Sequence, residues 1–394
     1  MHEHTGASAD VVVIGGGVIG LSVAWRAAQR GLRVTVLERG ELGGATSYVA
    51  AGMLAPVAEA DPCEQPLLTL GIVSARSYPA FVHELAEASG RDPGYLRCGT
   101  LLAARDDDEA EALTRELAMR HGLGLTAHRL RASEARRLEP ALAPALRLAL
   151  ELPEDHAVDP RRLTAALADG ARGAGAVLRA GTEVAEVMVA GGRARGARLR
   201  AGDQIEADQV VIAAGPWSAT LGGIPPEARV PLRPVKGQVL RMHDPAGPGL
   251  LSSVLRMGPA YIVPRGDGRY VLGATMEERG FDTSVTGGAV FELLRDAVEL
   301  LPGLSELVID ELSAGLRPAA PDNAPVIGQS VTPGLIWATG HYRNGVLLAP
   351  VTAEIVASAL AGECAPIGDK ELEAFAPARF APARLAPSTV EIGA

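Results

Sequence analysis

The first candidates for chemistry are three glycines, Gly15, Gly17 and Gly20, which are spaced as GxGxxG. They follow the apolar run VVVI, a predicted strand, and begin a predicted helix over about residues 18–30. In such a turn the first glycine makes the tight bend, the second lets a pyrophosphate reach the backbone, and the third lets helix and strand pack closely. Glu38 ends the next predicted strand, where it can accept hydrogen bonds from a ribose. The unit therefore predicts a dinucleotide site, without choosing between NAD and FAD.

A second candidate is Arg317, which ends the predicted strand LVIDELSAGLR. Its planar guanidinium can bind a carboxylate through two hydrogen bonds, and a strand end is a suitable place from which to present it to a ligand. Only Lys236 and Lys370 of the 37 basic residues are lysines, so arginine is the common cation of this chain. The position of Arg317, and not its presence, favours a binding role over a surface residue or a structural ion pair.

The stretch GHYRNGVLLAP, residues 340–350, places four polar side chains before a long apolar run. Asn344 is predicted to cap a helix that starts at Gly345. Pro350 would deprive an early carbonyl of that helix of its partner, which instead predicts an irregular entry over residues 341–349. An irregular entry favours a binding role over a simple helix cap, because its free N–H groups can face a ligand.

Composition and charge narrow the classes of function. The chain of 394 residues is long enough for two domains, and 47% hydrophobic with 21% charged residues is typical of a globular protein. Its net charge of −10 argues against a nucleic-acid partner. The three cysteines form no CxxC pair, which excludes a disulfide scaffold and a redox dithiol and indicates a reducing compartment. Neither a signal peptide nor an apolar run of membrane-spanning length is found, so no membrane partner and a cytoplasmic location are predicted.

Two kinds of segment alternate along the chain. Residues 11–38, 159–217 and those from about 307 onward have α/β patterns, whereas 77–150 are predicted to be mainly helical and 226–306 antiparallel. In the antiparallel segment, YIVPR, a GDG turn and RYVLGAT predict a hairpin. The alternation predicts an α/β (α+β) fold with a discontinuous Rossmann-like nucleotide-binding domain and an inserted domain built from an antiparallel sheet with helices. The predicted boundaries are 1–76, 155–225 and 307–394 for the first domain, and 77–154 and 226–306 for the second.

Five segments together resemble the FAD-dependent D-amino-acid oxidase family. They are GGATSYVAAGMLAP (43–56), DQVVIAAGPWS (208–218), YIVPR (261–265), GLRPAAPDNAPVIG (315–328) and GHYRNGVLLAP (340–350). The similarity extends from Val11 to about Ala361. AAGMLAP, YIVPR, GLRP and GHYRNGxLLAP resemble most closely the glycine oxidase branch, which serves thiazole synthesis for thiamine.

The resemblance implies that the first domain binds FAD and that the second binds the substrate. The implied cofactor residues are Gly15, Gly17, Val18, Gly20, Glu38, Arg39, Thr46, Ser47, Ala51, Gly52, Met53, Val184, Gly215, Trp217, His341, Tyr342, Arg343, Asn344, Gly345, Val346 and Leu347. Related sarcosine oxidases attach FAD covalently through a cysteine shortly after the position of Arg317. No cysteine lies between Cys98 and Cys364, so non-covalent FAD is expected.

The resemblance also implies a small amino-acid substrate, with Arg317 and the Tyr261 hydroxyl on its carboxylate. Arg343 is implied as a secondary contact at the flavin edge, where it and the backbone around it would stabilise anionic reduced flavin. Met276 is implied as a pocket wall. The residues alone leave open that Tyr261 packs in a hairpin core and that Met276 is a core methionine.

Two further positions bear on the substrate end. Pro259 stands where some relatives carry histidine, two residues before the tyrosine, which leaves the substrate preference open. Lys236 could assist oxygen reduction, but pairing with an acid is the expected role, and it is not among the catalytic candidates.

The family's chemistry requires no acid–base pair, because a hydride can pass from Cα of a deprotonated amine to flavin N5. No HExxH, GxSxG, P-loop or metal-ligand cluster is found, and no metal is expected. The predicted reaction is oxidation of glycine, sarcosine or small D-amino acids by molecular oxygen, giving for glycine glyoxylate, ammonia and hydrogen peroxide. The alternatives are an FAD-dependent dehydrogenase with another acceptor, a flavoprotein without turnover, and a nicotinamide dehydrogenase. The family often forms homotetramers, so a homo-oligomer is expected.

Overall fold

Two eight-stranded sheets and a small three-stranded sheet organise the chain, which a computed structural model describes over residues 9–258 and 260–380. The strands are β1 (Ala9–Ile14), β2 (Val34–Leu37), β3 (Met53–Leu54), β4 (Tyr95–Leu96), β5 (Thr100–Ala104), β6 (His128–Arg131), β7 (Leu148–Leu152), β8 (His156–Val158), β9 (Val177–Arg179), β10 (Val184–Ala190), β11 (Arg193–Leu199), β12 (Gln204–Ile212), β13 (Arg233–His243), β14 (Val254–Met257), β15 (Ala260–Pro264), β16 (Arg269–Gly273), β17 (Val308–Ala319), β18 (Val326–Gln329) and β19 (Leu335–Thr339). The helices are α1 (Val18–Gln29), α2 (Thr46–Val49), α3 (Gln65–Ser89), α4 (Asp107–Gly122), α5 (Ala132–Leu138), α6 (Pro160–Gly173), α7 (Gly287–Leu300), α8 (Ala349–Ala361) and α9 (Asp369–Glu373).

The first sheet is the predicted nucleotide-binding architecture. β1 lies between β12 and β2, all parallel, with β9 beyond β2 and β19 parallel to β12. The strand Val11–Val13 is completely buried, which explains why it has an unbroken apolar sequence instead of an alternating one. Helices α1, α3, α6 and α8 share one hydrophobic core with this sheet. The predicted Rossmann-like fold is therefore confirmed.

The second sheet has the order β17-β13-β16-β15-β14-β5-β7-β6 and is antiparallel except for the parallel pair β14–β5. The predicted hairpin is present as β15–β16, with Gly266 and Gly268 at positive φ in its turn. Helix α7 packs its apolar face on this sheet through Leu293 and Ala297. The predicted antiparallel sheet with helices is confirmed.

Two assignments along the chain differ from the prediction. Residues 77–150, predicted to be mainly helical, also contain strands β5, β6 and β7 of the second sheet. TLLAA and LALEL are short runs of helix-favouring residues whose strand form is set by pairing across the sheet. Strand β17 pairs along its length with β13, so residues 308–319 belong to the second sheet, although the sequence analysis placed them in the first domain. The division into two domains stays a prediction.

The stretch after β19 also differs in detail. Helix α8 starts at Ala349 and not at Gly345, and its N-cap is Leu348, so the predicted cap at Asn344 is wrong. Pro350 lies in the first turn, where its missing N–H costs nothing because that N–H would have no helical partner. The irregular entry that Pro350 predicted is present before the helix.

Over residues 9–258 and 260–380, no helix combines the length and apolar character needed to cross a membrane. Within the same ranges, no group of three or more histidine, cysteine or acidic side chains is arranged to hold a metal ion.

Candidate active site

A cavity of about 940 Å³ lies where the two large sheets meet. Ile14 and Leu37, the last residues of β1 and β2, line it from the first sheet, and Tyr261 and Arg317 line it from the second. Ligands of open α/β sheets bind at this carboxyl edge of the parallel strands. The cavity therefore combines a nucleotide site with a second chemical environment supplied by β15 and β17.

The glycine turn has the shape that a bound pyrophosphate needs. Gly15 has φ +110°, and a Cβ there would lie 2.4 Å from the carbonyl oxygen of Ala213. A Cβ on Gly20 would lie 1.9 Å from the Gly15 carbonyl oxygen, so this residue allows the close approach of helix and turn. Gly17 is the N-cap of α1 and provides no side-chain cap, which leaves the positive end of the helix facing the cavity.

Glu38 and Ser47 complete the turn. The Glu38 carboxylate accepts hydrogen bonds from the backbone N–H groups of Gly16 (2.8 Å) and Gly40 (2.9 Å). The Val18 N–H donates to Ser47 Oγ at 3.0 Å. A carboxylate has about four acceptor positions, so Glu38 can hold the turn and still accept from a ribose hydroxyl.

The small-residue segment 43–54 is held from the second sheet. Arg241 donates to the carbonyl oxygens of residues 48–50 at 2.7–3.3 Å, and Arg265 donates to the carbonyl oxygen of Ala51 at 2.7 Å. Burial lowers the pKa of Arg265 to about 10. Gly52, at φ +81°, could not carry a Cβ, which would lie 2.0 Å from the Val158 carbonyl oxygen. Four successive carbonyl groups are thus bound by two arginines.

Trp217 forms an aromatic part of the cavity wall together with Arg39. The guanidinium of Arg39 lies 3.8 Å from the centroid of the Trp217 ring, and Phe281 stacks on Trp217 with centroids 6.1 Å apart. Val184 and Gly215 line the same cavity. Flat, apolar and cationic surfaces of this kind suit an aromatic ring system.

Arg317 is presented to the cavity across a glycine. A Cβ on Gly237 would lie 2.4 Å from both terminal nitrogens of Arg317, so only glycine leaves room for this guanidinium. Arg317 Nη1 donates to the carbonyl oxygens of Lys236 (3.3 Å) and Thr275 (3.1 Å). Burial raises the pKa of Tyr261, and the nearby guanidinium of Arg317 opposes that rise.

The five arginines that line the cavity differ in how their charges are compensated. Arg200 pairs with Glu183, while Arg256 and Arg343 both pair with Glu59. In the described part of the chain, no carboxylate lies within 4.0 Å of Arg39 or Arg317. Since Arg39 stacks on an indole, Arg317 is the cavity arginine next to Tyr261 that has no acidic partner.

Other predicted site residues have side-chain partners of their own. His341 is buried with Nε2 at 3.0 Å from Thr352 Oγ1, and burial lowers its pKa to about 3, so it is neutral at physiological pH. The Tyr342 hydroxyl lies 2.7 Å from the Met276 sulfur. Met276 is 63% exposed, so it forms the rim of the cavity and is not a core methionine.

Comparison with known proteins decides the family. The model of the DAO family, described as FAD dependent oxidoreductase, matches residues 10–359. The chain belongs to this family. A glycine oxidase from Geobacillus kaustophilus is 37% identical over 354 residues, covering 88% of this chain and 92% of that protein. The crystal structure of glycine oxidase from the same species superposes with a TM-score of 0.88 at 34% identity, covering 94% of this chain and 99% of that one. A putative thiamine biosynthesis oxidoreductase ThiO from Rhizobium etli is 35% identical, covering 90% of this chain and 97% of that protein.

As a DAO-family protein, the chain uses FAD, and its residues fit that cofactor. The cavity is large, the glycine turn excludes Cβ atoms, and the N-cap of α1 is a glycine that provides no side-chain cap. Of the predicted cofactor residues, all except Gly20 and Leu347 line the cavity, as do Arg317, Tyr261, Arg343 and Met276. Gly20 packs α1 against the turn, and Leu347 is buried in the hydrophobic core. Pro259 lies outside the described residues.

Five residues that shape the site were not predicted from the sequence, namely Glu59, Arg256, Gly237, Arg241 and Arg265. Gly237 had a usable signal, because an isolated glycine inside a predicted strand marks a close approach. Arg265 ends the YIVPR segment, but that segment did not indicate its role. Glu59, Arg256 and Arg241 gave no local signal, because each meets its partner through contacts between distant segments. The expected pairing of Lys236 is confirmed, since its Nζ lies 2.6 Å from Asp282 Oδ2.

A buried carboxylate beneath the cavity gives a prediction on pH. Asp155 is completely buried and accepts hydrogen bonds from the N–H groups of Val57 and Ala58, while burial raises its pKa to about 7. Its pKa in the unfolded chain is near 3.8, so folding favours the protonated form. Relative to Asp155→Asn, the wild type should therefore gain stability as pH falls from about 7 to about 4, by at most about 1.4 kcal/mol per pH unit.

Urea unfolding of both holoproteins at several pH values measures this difference. The asparagine variant does not titrate at this position, so subtracting its curve isolates the contribution of Asp155. A difference that is constant over that range, or that falls on acidification, would contradict a raised pKa.

Proposed function

We propose that this chain oxidises glycine, and also sarcosine and small D-amino acids, with molecular oxygen as the electron acceptor. For glycine the balanced reaction converts glycine, O₂ and water to glyoxylate, ammonia and hydrogen peroxide. The observation that carries the proposal is Arg317, which has no acidic partner among residues 9–258 and 260–380 and lies beside Tyr261 in the FAD cavity. The names of the glycine oxidase and ThiO relatives support the substrate and a role in thiamine biosynthesis.

The protein's part in this reaction is to position the substrate. Arg317 and the Tyr261 hydroxyl bind the substrate carboxylate, and Gly237 leaves the space in which Arg317 lies flat on strand β13. Val239 and Ala260, both buried, form apolar wall around them and limit the access of water. Bound FAD supplies the acceptor for the electron pair and hydrogen that leave the substrate Cα.

No side chain of the cavity is needed as a general acid or base. His341 is neutral, buried and bonded to Thr352, and Lys236 is held by Asp282. The amine therefore has to bind as the free base, with its proton already released to solvent. The energy of substrate binding is used to orient the Cα–H bond of the substrate toward the flavin, as in other reactions that depend on proximity.

The test uses the purified holoprotein and glycine. Under anaerobic conditions glycine should bleach the visible absorbance of the bound flavin, and in air each O₂ consumed should give one hydrogen peroxide. Bleaching without peroxide in air, together with turnover on an artificial acceptor, would instead identify a dehydrogenase. Flavin that neither glycine, sarcosine nor D-alanine can bleach would contradict the proposal.

The assignment of the first domain to FAD and of the second to the substrate is part of this proposal, because residues of both sheets line the cavity. A homo-oligomer and a cytoplasmic location stay predictions.

A further inference from the structure

Glu59 forms a bridge between two arginines at the cavity wall. One carboxylate oxygen lies 3.0 Å from Arg256 Nη1 and the other lies 2.5 Å from Arg343 Nη2. The Glu59 side chain is 20% exposed, and all three residues line the cavity. The triad has a net charge of +1, whereas the two guanidinium groups alone would have +2.

The backbone next to Glu59 is held by two buried polar side chains. Asp155 accepts from the N–H groups of residues 57–58, and Arg120 donates to their carbonyl oxygens at 3.0 Å. Asp155 is 0% and Arg120 2% exposed. Burying such polar side chains is costly unless they are well bonded, and here each one is bonded to both peptides of the same pair. The backbone that leads to Glu59 is therefore held in place, and its carboxylate is held by Arg256 and Arg343.

The triad lines the same cavity as Arg317 and Tyr261, the predicted carboxylate site. The pKa of Tyr261, already raised by burial, is lowered by Arg317 and Arg343 and raised by Glu59. The phenol of Tyr261 is thus within electrostatic reach of all three charges. A ligand on Arg317 and Tyr261 would experience the charge of Glu59 as well.

We propose that Glu59 is a specificity-determining residue that restricts the cavity to amines with a single carboxylate. Because Glu59 pairs with both Arg256 and Arg343, neither guanidinium is left unpaired for a second anionic group of a substrate, which would also meet the negative charge of Glu59. Specificity commonly depends on such a repulsive element in addition to the attractive one, which here is Arg317. This inference rests on the proposed function, in which a substrate carboxylate binds Arg317.

Sarcosine and iminodiacetate form a matched pair of probes, because they differ only by a second carboxylate on the N-substituent. Glu59→Gln should raise the ratio of kcat/KM for iminodiacetate over sarcosine by about tenfold, since one opposing unit charge is removed. Arg256→Gln should lower the same ratio, because the negative charge of Glu59 is then compensated by Arg343 alone. Glu59→Asp keeps the charge and should keep the ratio close to that of the wild type.

Binding without turnover separates this inference from the proposed function. Acetate and malonate are titrated into each holoprotein and followed by the perturbation of the flavin spectrum, which requires no oxidation. Glu59→Gln should increase the affinity for malonate relative to acetate by about tenfold, and Arg256→Gln should decrease it. If the wild type oxidises no amine but these changes in relative affinity appear, the proposed function fails, whereas the inference that Glu59 selects against a second carboxylate stands. Unchanged ratios, or shifts of equal sign in both variants, would overturn the inference.

Discussion

Replacing Arg317 by methionine should raise the KM for glycine by about 10-fold to 150-fold, because a charge-assisted hydrogen bond contributes about 1.5–3 kcal/mol. The variant should still bind FAD, because Arg317 makes its hydrogen bonds to the backbone of residues 236 and 275 and not to the glycine turn. Steady-state oxygen uptake gives KM and kcat, and the perturbation of the flavin spectrum by acetate gives carboxylate affinity directly.

Gly237→Ala tests the same site while keeping its charge. The added Cβ would lie 2.4 Å from the terminal nitrogens of Arg317 and must displace the guanidinium, so the KM for glycine should rise here too. Arg172→Met is the matched control, because Arg172 is an exposed arginine on α6 that pairs with Asp169 away from the cavity. A wild-type KM in the Arg317 variant would remove this residue from the substrate site and with it the main support for the proposed function.

Replacing Gly15 by alanine should weaken FAD binding by about 10-fold to 100-fold. Gly15 has φ +110°, and its Cβ would meet the carbonyl oxygen of Ala213 at 2.4 Å, so the turn has to open. Strain of this kind costs about 1–3 kcal/mol, and the displaced turn no longer fits the pyrophosphate. Titration of the apoprotein with FAD, followed by the quenching of flavin fluorescence, measures the change.

Gly31→Ala is the control for the backbone effect of that substitution. Gly31 follows α1 with φ +82°, but a Cβ there would have no neighbour within 4 Å, and the residue is remote from the cavity. The control should lose some stability and keep its FAD affinity. Equal FAD affinity in the Gly15 variant and the wild type would show that the turn does not form the pyrophosphate site.

The sequence predicted those parts of the site whose geometry is determined by residues close together in the chain. The spacing of Gly15, Gly17 and Gly20 ties backbone geometry to a ligand within one βαβ unit, and the predicted strand, turn and helix are present. Pro350 likewise predicted the irregular entry to α8, because the loss of one N–H acts within one helical turn.

The parts that the sequence did not predict depend on contacts between distant segments. Glu59 and Arg256 form an ion pair although they are almost 200 residues apart in the sequence, and the residues around either one do not indicate the pairing. Strand β5 has a sequence that suits a helix, and only its partners β7 and β14 make it a strand. Such contacts depend on the complete fold and not on the local sequence.

The binding of residues 48–51 by Arg241 and Arg265 has a consequence for folding. The small-residue segment 43–54 follows β2 in the chain. Its carbonyl groups are nevertheless bound by Arg241 of β13 and by Arg265, which follows β15. This segment keeps these hydrogen bonds only when the antiparallel sheet is present. The Rossmann-like half on its own would lack the partners that hold residues 48–51, so we expect the two halves to unfold as a single cooperative unit.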